Sequence, residues 1–146
     1  DILPASTPVV RFAAESDGEA ILALVGRLGH AIPVDAHAFA ASFPQVLADH
    51  PRSLLHVAEV DGVIAGYALT TITQLLYTNG PSAQLQEIVV DETLQTRGVG
   101  TALVRAVEKA CEDSGVTQLT VASRRAGGFY DRLGYTQQAE YMRRLF

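Results

Sequence analysis

LQEIVVDETLQTRGVGTALVRAVE, residues Leu85–Glu108, decides the fold of this chain. It opens on an apolar, β-branched run, Ile88-Val89-Val90, which reads as a buried strand. A short polar connection leads to Gln95-Thr96-Arg97-Gly98-Val99-Gly100-Thr101, and Leu103, Val104, Val107 and Ala110 then recur at helical spacing. The first turn of a helix carries unpaired backbone N–H groups and the positive end of the macrodipole. Glycine there lets the main chain approach phosphate oxygens without a Cβ in the way. The turn therefore reads as a pyrophosphate site.

The chain around it has 146 residues, enough for one domain with its own core. A hydrophobic fraction of 48% and a charged fraction of 18% fit a soluble globular protein, and no apolar run reaches the length of a membrane span. No signal-peptide pattern is seen, although a start at Asp1 leaves a processed terminus open. The lone Cys111 excludes an internal disulfide and is compatible with a cytoplasmic setting, which is the expectation. The histidines (His30, His37, His50, His56) lack metal-ligand spacing, so no metal is expected. A formal net charge of −5 disfavours bulk binding to nucleic acid and leans slightly to a cationic substrate; neither nucleic acid nor membrane is an expected partner.

Residues 1–7 read as a tail and 8–146 as the domain. Pro8–Ala13 is a first strand; Ser16 or Asp17 caps a helix that ends at Gly29. Asp35 caps a second helix, with Phe39, Phe43, Val46 and Leu47 on one stripe and a kink or break expected at Pro44. Leu54–Val60 and a strand from Val63 form a hairpin across Asp61-Gly62, and Tyr77–Ser82 reads as a loop. The long helix stops near Gly115, and Val116–Ala122 follows as a strand, a spacing that suggests a parallel strand–helix–strand crossover. A short helix at Phe129–Leu133 ends at Gly134, and Tyr135–Phe146 supplies one or two closing strands.

The glycines alone do not name the ligand. A phosphate-loop NTPase requires Gly-Lys-Ser/Thr at the helix start, and a dinucleotide fold requires Gly-x-Gly-x-x-Gly; both are absent. Gln95-x-x-Gly98-x-Gly100, preceded by Val90 and followed by the long helix, resembles the coenzyme A motif of the GNAT N-acetyltransferase superfamily. Ser123-x-x-Ala126-x-x-Phe129-Tyr130-x-x-Leu133-Gly134-Tyr135 resembles that superfamily's second hallmark. The resemblance covers the chain from about Val9 to Phe146. It implies an α/β GNAT fold: a mixed six- to seven-stranded sheet flanked by about four helices, with a βαβ unit that binds acetyl-CoA.

The resemblance also implies roles. Backbone amides from Arg97 to Thr101, within the Gln95–Thr101 turn (Gln95, Thr96, Arg97, Gly98, Val99, Gly100, Thr101), hold the CoA pyrophosphate. Backbone groups of Ile88, Val89 and Val90 pair with the pantetheine arm, and a free amide near Val89 or Val90 stabilises the oxyanion. Tyr130 is the general acid for the leaving thiolate. Ser123 stands where many relatives carry asparagine, and Arg125, beside Arg124, is placed to reach a CoA phosphate. For the base, Glu87 on the central strand is the evident carboxylate, with a water relay from another group as the alternative and a purely structural hydrogen bond as the bland one. His30 and His37 flank a connection that lines the acceptor pocket in this family, though ordinary surface histidines would look the same. Cys111 lacks a base partner and reads as packing.

The expected activity is acetyl transfer from acetyl-CoA to a primary amine by direct attack in a ternary complex. A catalytically silent acyl-CoA-binding or sensor module on the same fold is the alternative, and transfer of a longer acyl chain a weaker one. The amine, small molecule or peptide, is not legible. The apolar final strand (Tyr141, Met142, Leu145, Phe146) is suited to pairing across a homodimer interface, and oligomeric state stays open.

Overall fold

A computed structural model describes residues 6–28, 32–94, 98–123 and 128–146. Its strands are β1 (Val9–Phe12), β2 (Ser53–Val60), β3 (Val63–Gln74), β4 (Pro81–Val90) and β5 (Gln118–Val121). They form one sheet in the order β1-β2-β3-β4-β5. The first four pair antiparallel and β5 pairs parallel to β4, as a βαβ crossover requires. The helices are α1 (Gly18–Val25), α2 (Ala36–Ala48), α3 (Val99–Asp113) and α4 (Phe129–Arg132), with 3₁₀ turns at Glu15–Asp17 and Glu92–Leu94.

Helices cover both faces of the sheet. On one face α3 lays Val99, Leu103, Val104, Val107 and Cys111 against Ala58, Ala68, Ala83 and Leu85. Gly66 makes this close approach possible: a Cβ there would stand 2.7 Å from the Val89 carbonyl oxygen and 3.2 Å from both Leu103 and Val99. On the other face Ile21 and Leu24 of α1 and Phe43 of α2 cover Leu55, Val57, Tyr67 and Val89. Local chemistry agrees with these elements. The Asp35 carboxylate accepts the His37 N–H at 2.8 Å and caps α2. Asp61 (φ 52°) and Gly62 (φ 79°) make the left-handed pair of a tight hairpin turn.

Several expectations are corrected. The sheet has five strands among the described residues, not six or seven, because the segment after Tyr135 forms none. That segment carries its apolar residues as adjacent pairs, Tyr141-Met142 and Leu145-Phe146, so a strand there would be apolar on both faces, and this chain alone covers neither. Pro44 does not break α2, which runs through it to Ala48. Stacking of Phe39 on Phe43 at 5.4 Å and burial of Phe43 hold the helix across the missing backbone bond. β4 begins at Pro81, inside the expected loop. β5 is shorter than expected because Val116 is used to end α3, donating its N–H to the Cys111 carbonyl at 3.0 Å. α1 ends at Val25, and Gly29 lies outside the described residues.

One buried group makes stability depend on pH. His56, on β2, is only 4% exposed, and its Nδ1 has no hydrogen-bond partner among the described residues. Burial, with repulsion from His50, pushes its imidazole down to about 4. The unfolded chain binds this proton near pH ~6.5 and the folded chain only near 4. Between those values the unfolded state holds more protons, so the contribution is complete above the upper value and is lost as pH falls. The steepest slope is about 1.4 kcal/mol per pH unit. Urea melts from pH 7 to 4 are expected to show this loss, and His56→Leu to show a shallower one; equal slopes would contradict it.

Candidate active site

The site begins where β4 outruns its neighbour. Parallel pairing with β5 runs from Ser82–Gln118 to Leu85–Val121 and stops, while β4 continues to Val90 beside β3. The half of β4 from Gln86 to Val90 therefore has no strand on its β5 side among the described residues. Alternation decides which groups face that opening. Asp91 donates its N–H to the Ala65 carbonyl of the β3 side at 2.7 Å. Backbone groups of Val89 then turn to β3, and those of Ile88 and Val90 turn to the open edge.

A bulge aims the side chains. Leu69 pairs with Glu87 but Thr70 pairs with Leu85, so Gln86 is the extra residue on β4. Before it, Ala83 and Leu85 face α3; after it, Val89 packs beneath α1 and α2 while Ile88 packs on the α3 side. Without the extra residue, Glu87 and Val89 would follow Leu85 under α3. With it, Glu87 stands on the opposite face. There Tyr67, 1% exposed, donates its hydroxyl to Glu87 Oε1 at 2.7 Å. Burial, then the Glu87 charge, pushes the Tyr67 phenol far up, so it remains a donor. Gln86 lies on the same face, its Nε2 donating to Thr71 Oγ1 at 2.9 Å.

The head of α3 meets the end of β4. Gly98, the N-cap, holds φ 83°, a left-handed conformation that favours glycine. The first intrahelical bond runs from Ala102 N–H to the Gly98 carbonyl at 2.9 Å, so the amides of Val99, Gly100 and Thr101 precede it. Gly100 has neither a positive φ nor, among the described residues, a crowding neighbour. A Cβ there would find Phe129 at 3.5 Å and Val90 at 3.7 Å, ordinary contacts. The protein's own packing does not demand glycine at this position, whereas a ligand approaching the helix head would. The same two neighbours bring α4 to the open edge of β4. Tyr130, half-buried, packs edge-on against Phe129 at 5.0 Å and Tyr135 at 5.7 Å.

The structure thus brings together Ile88, Val89 and Val90, the helix head Gly98–Thr101 and α4 with Tyr130, with Glu87 across the strand. Ser123 is exposed, beyond the end of β5. Gln95, Thr96, Arg97, Arg125 and His30 lie outside the described residues. His37 is exposed in the first turn of α2. Burial pushes the Cys111 thiol up to about 11, which suits packing and not nucleophilic work. Two cavities, of about 280 and 370 Å³, lie elsewhere, one between α2 and β1–β2 and one beside α3 and β5. Sequence reasoning missed Tyr67 and the bulge. The signal for the bulge is present: apolar residues step by two at Ala83 and Leu85, by three to Ile88, then by two to Val90.

A parallel pair in which β4 outruns β5, beside a glycine-headed helix and on a mixed sheet covered on both faces, defines the α/β class of this chain. The model of the acetyltransferase (GNAT) family matches residues 27–135, and the chain belongs to that family. No curated protein matches it. Among solved structures, a transcriptional regulator from Bacillus halodurans C-125 is similar at TM-score 0.85 and 18% identity, over 96% of this chain and all (100%) of its own. Glucosamine-6-phosphate N-acetyltransferase from Arabidopsis thaliana is similar at TM-score 0.82 and 21% identity, over 96% and 99% of the two chains. The aminoglycoside N-acetyltransferase AAC(6')-Iy, in complex with CoA, is similar at 0.76 and 19% identity, over 98% of each chain. At such identities the likeness is one of fold. Among the described residues no helix is long and apolar enough to cross a membrane.

Proposed function

We propose that this chain transfers an acetyl group from acetyl-CoA to a primary amine by direct attack in a ternary complex. The observation that carries the reading is the open half of β4, bounded by the head of α3 on one side and by Glu87 on the other face. Amides of Val99, Gly100 and Thr101 bind the pyrophosphate. Ile88 and Val90 offer the pantetheine arm the hydrogen bonds a neighbouring strand would make. The Val90 N–H donates to the thioester carbonyl and stabilises the oxyanion as the amine attacks.

Glu87 takes the proton from the ammonium, directly or through one water, while Tyr67 holds its other oxygen in place. The acceptor therefore enters from the face that carries α1 and α2. Tyr130 donates its hydroxyl proton to the departing thiolate; thiols ionise near pH ~8.5, so this assistance is modest at neutral pH. A panel of amines incubated with acetyl-CoA, read by free CoA thiol, tests the reading. Amine-dependent thiol release with intersecting initial-rate lines supports it. Parallel lines would indicate a covalent intermediate. CoA binding with no turnover on any amine would favour an acyl-CoA-binding module instead.

A further inference from the structure

On the sheet face that carries Glu87, the apolar cover from α1 and α2 ends at Leu69 of β3 and Val89 of β4. Ile72, Ala83, Leu85, Leu119 and Val121 pack on the opposite, α3 side. Alternation therefore turns Thr71 and Thr73 of β3, Ser82 and Gln84 of β4, and Gln118 and Thr120 of β5 to the Glu87 face. Strand register sets them in two rows, Thr73–Ser82–Gln118 and Thr71–Gln84–Thr120. The bulge adds Gln86 to the same face, next to Glu87.

All of these side chains are neutral, and each can both donate and accept hydrogen bonds. Ser82 is buried and Thr71, Gln84, Gln118 and Thr120 are half-buried, so they form a floor and not a fringe. Only part of their capacity is used within the chain. Gln86 Nε2 donates to Thr71 Oγ1 at 2.9 Å and Gln118 Nε2 to Ser82 Oγ at 3.1 Å. Gln84 and Thr73 make no side-chain hydrogen bond among the described residues. Tyr77 stands at the foot of the rows, 74% exposed, its hydroxyl accepting from Gln118 Nε2 at 3.4 Å. Its ring makes an aromatic wall beside the polar floor. From Ser82 to Glu87 the face extends about 15 Å, more than one pyranose ring covers. A face that met only water would gain solubility from charges. Within these rows Glu87 is the one charged group.

Resting on the acetyl transfer proposed above, we infer that the acceptor is a neutral-bodied amino sugar of more than one ring. Its amine sits at Glu87, its hydroxyls on the Thr71–Gln84–Thr120 row, and the C–H face of its outer ring against Tyr77. Sugar hydroxyls donate and accept at once, as the groups of the floor do. The methylenes of a lysine side chain would leave that floor unpaired. A phosphorylated amine would need a cation that these rows lack. The sugar nitrogen bonds to the acetyl carbon as the C–S bond breaks; one proton leaves through Glu87, and CoA departs as the thiol.

Initial rates at saturating acetyl-CoA, with glucosamine, its β-linked disaccharide, cyclohexylamine and glucosamine 6-phosphate as acceptors, test this. From the disaccharide to cyclohexylamine, which keeps a ring and an amine but no hydroxyl, kcat/KM should fall about 10²-fold or more. The phosphate should bring no gain over glucosamine. Thr120→Val and Gln84→Leu should each cut the preference for the disaccharide over cyclohexylamine about 5-fold, one neutral hydrogen bond apiece. Tyr77→Ala should cut the preference for the disaccharide over glucosamine. Equal kcat/KM for disaccharide and cyclohexylamine, or preferences indifferent to all three substitutions, would overturn the sugar class and leave acetyl transfer standing. Preference for the phosphorylated sugar would overturn it as well. Amide shifts on titration with the disaccharide give the answer if no amine turns over. Saturable shifts at Gln84, Gln118 and Thr120 would then support the sugar site while the transfer reading fails, and their absence would overturn both.

Discussion

Glu87→Gln is expected to lower kcat/KM for the amine by about 10²–10⁴-fold, the range that removal of a positioned general base produces. The substitution keeps the shape of the side chain, and its amide oxygen still accepts the Tyr67 hydroxyl, so melting temperature is expected to stay within a few degrees. What is lost is the place for the ammonium proton. The deficit should therefore narrow as pH rises towards the amine's own pKa, ~10 for an alkylamine, where the nucleophile is already neutral. Initial rates of variant and wild type between pH 7 and 10 read this directly. A deficit that stays constant across that range would assign Glu87 to positioning, and no deficit at all would hand the proton to a water relay from another group.

Gly100→Val has the second large effect, and it falls on binding. At the helix head a branched side chain would occupy the space in which the amides of Val99–Thr101 present their N–H groups. Loss of two or so charge-assisted hydrogen bonds, at ~1.5–3 kcal/mol each, predicts CoA affinity lower by about 10²–10⁴-fold. The fold should tolerate the change, because the new Cβ meets Phe129 and Val90 only at 3.5 and 3.7 Å. Gly98→Ala is the counterpart. No described residue stands within 4 Å of its Cβ, but φ is +83°, so the cost falls on stability, about 1 kcal/mol. Calorimetric titration with CoA and thermal melts on both variants separate the two glycines. Equal affinity in Gly100→Val and wild type would remove the helix head from the site.

Much of this was legible in the chain. Period-two and period-3.6 patterns marked β2 through α3, and the turn residues Asp61-Gly62 and Gly115 marked the boundaries. The helix head of the candidate site was legible because a glycine-containing turn before an apolar helical stripe is recorded in sequence. The Glu87 end was less so. Glu87 could be named, but not its face, because a one-residue bulge at Gln86 sets the face and single bulges barely disturb an apolar run. Tyr67 was hidden for a different reason: a tyrosine in a buried strand looks like core until the carboxylate opposite it is located. The closing strands are absent because the apolar residues of 136–146 come as adjacent pairs, Tyr141-Met142 and Leu145-Phe146, which do not give the one-sided pattern of an outer strand. At Pro44 the helix continues and does not break, because burial of Phe43 outweighs the local propensity.

The central claim is that the open half of β4 and the head of α3 form the acyl-CoA site, and amide chemical shifts on titration with CoA test it most directly. The account predicts that the amides of Ile88, Val90 and Gly98–Thr101 move together and saturably. Shifts that leave these residues untouched and gather at the cavity between α2 and β1–β2, around Phe12, Val46 and His50, would contradict it.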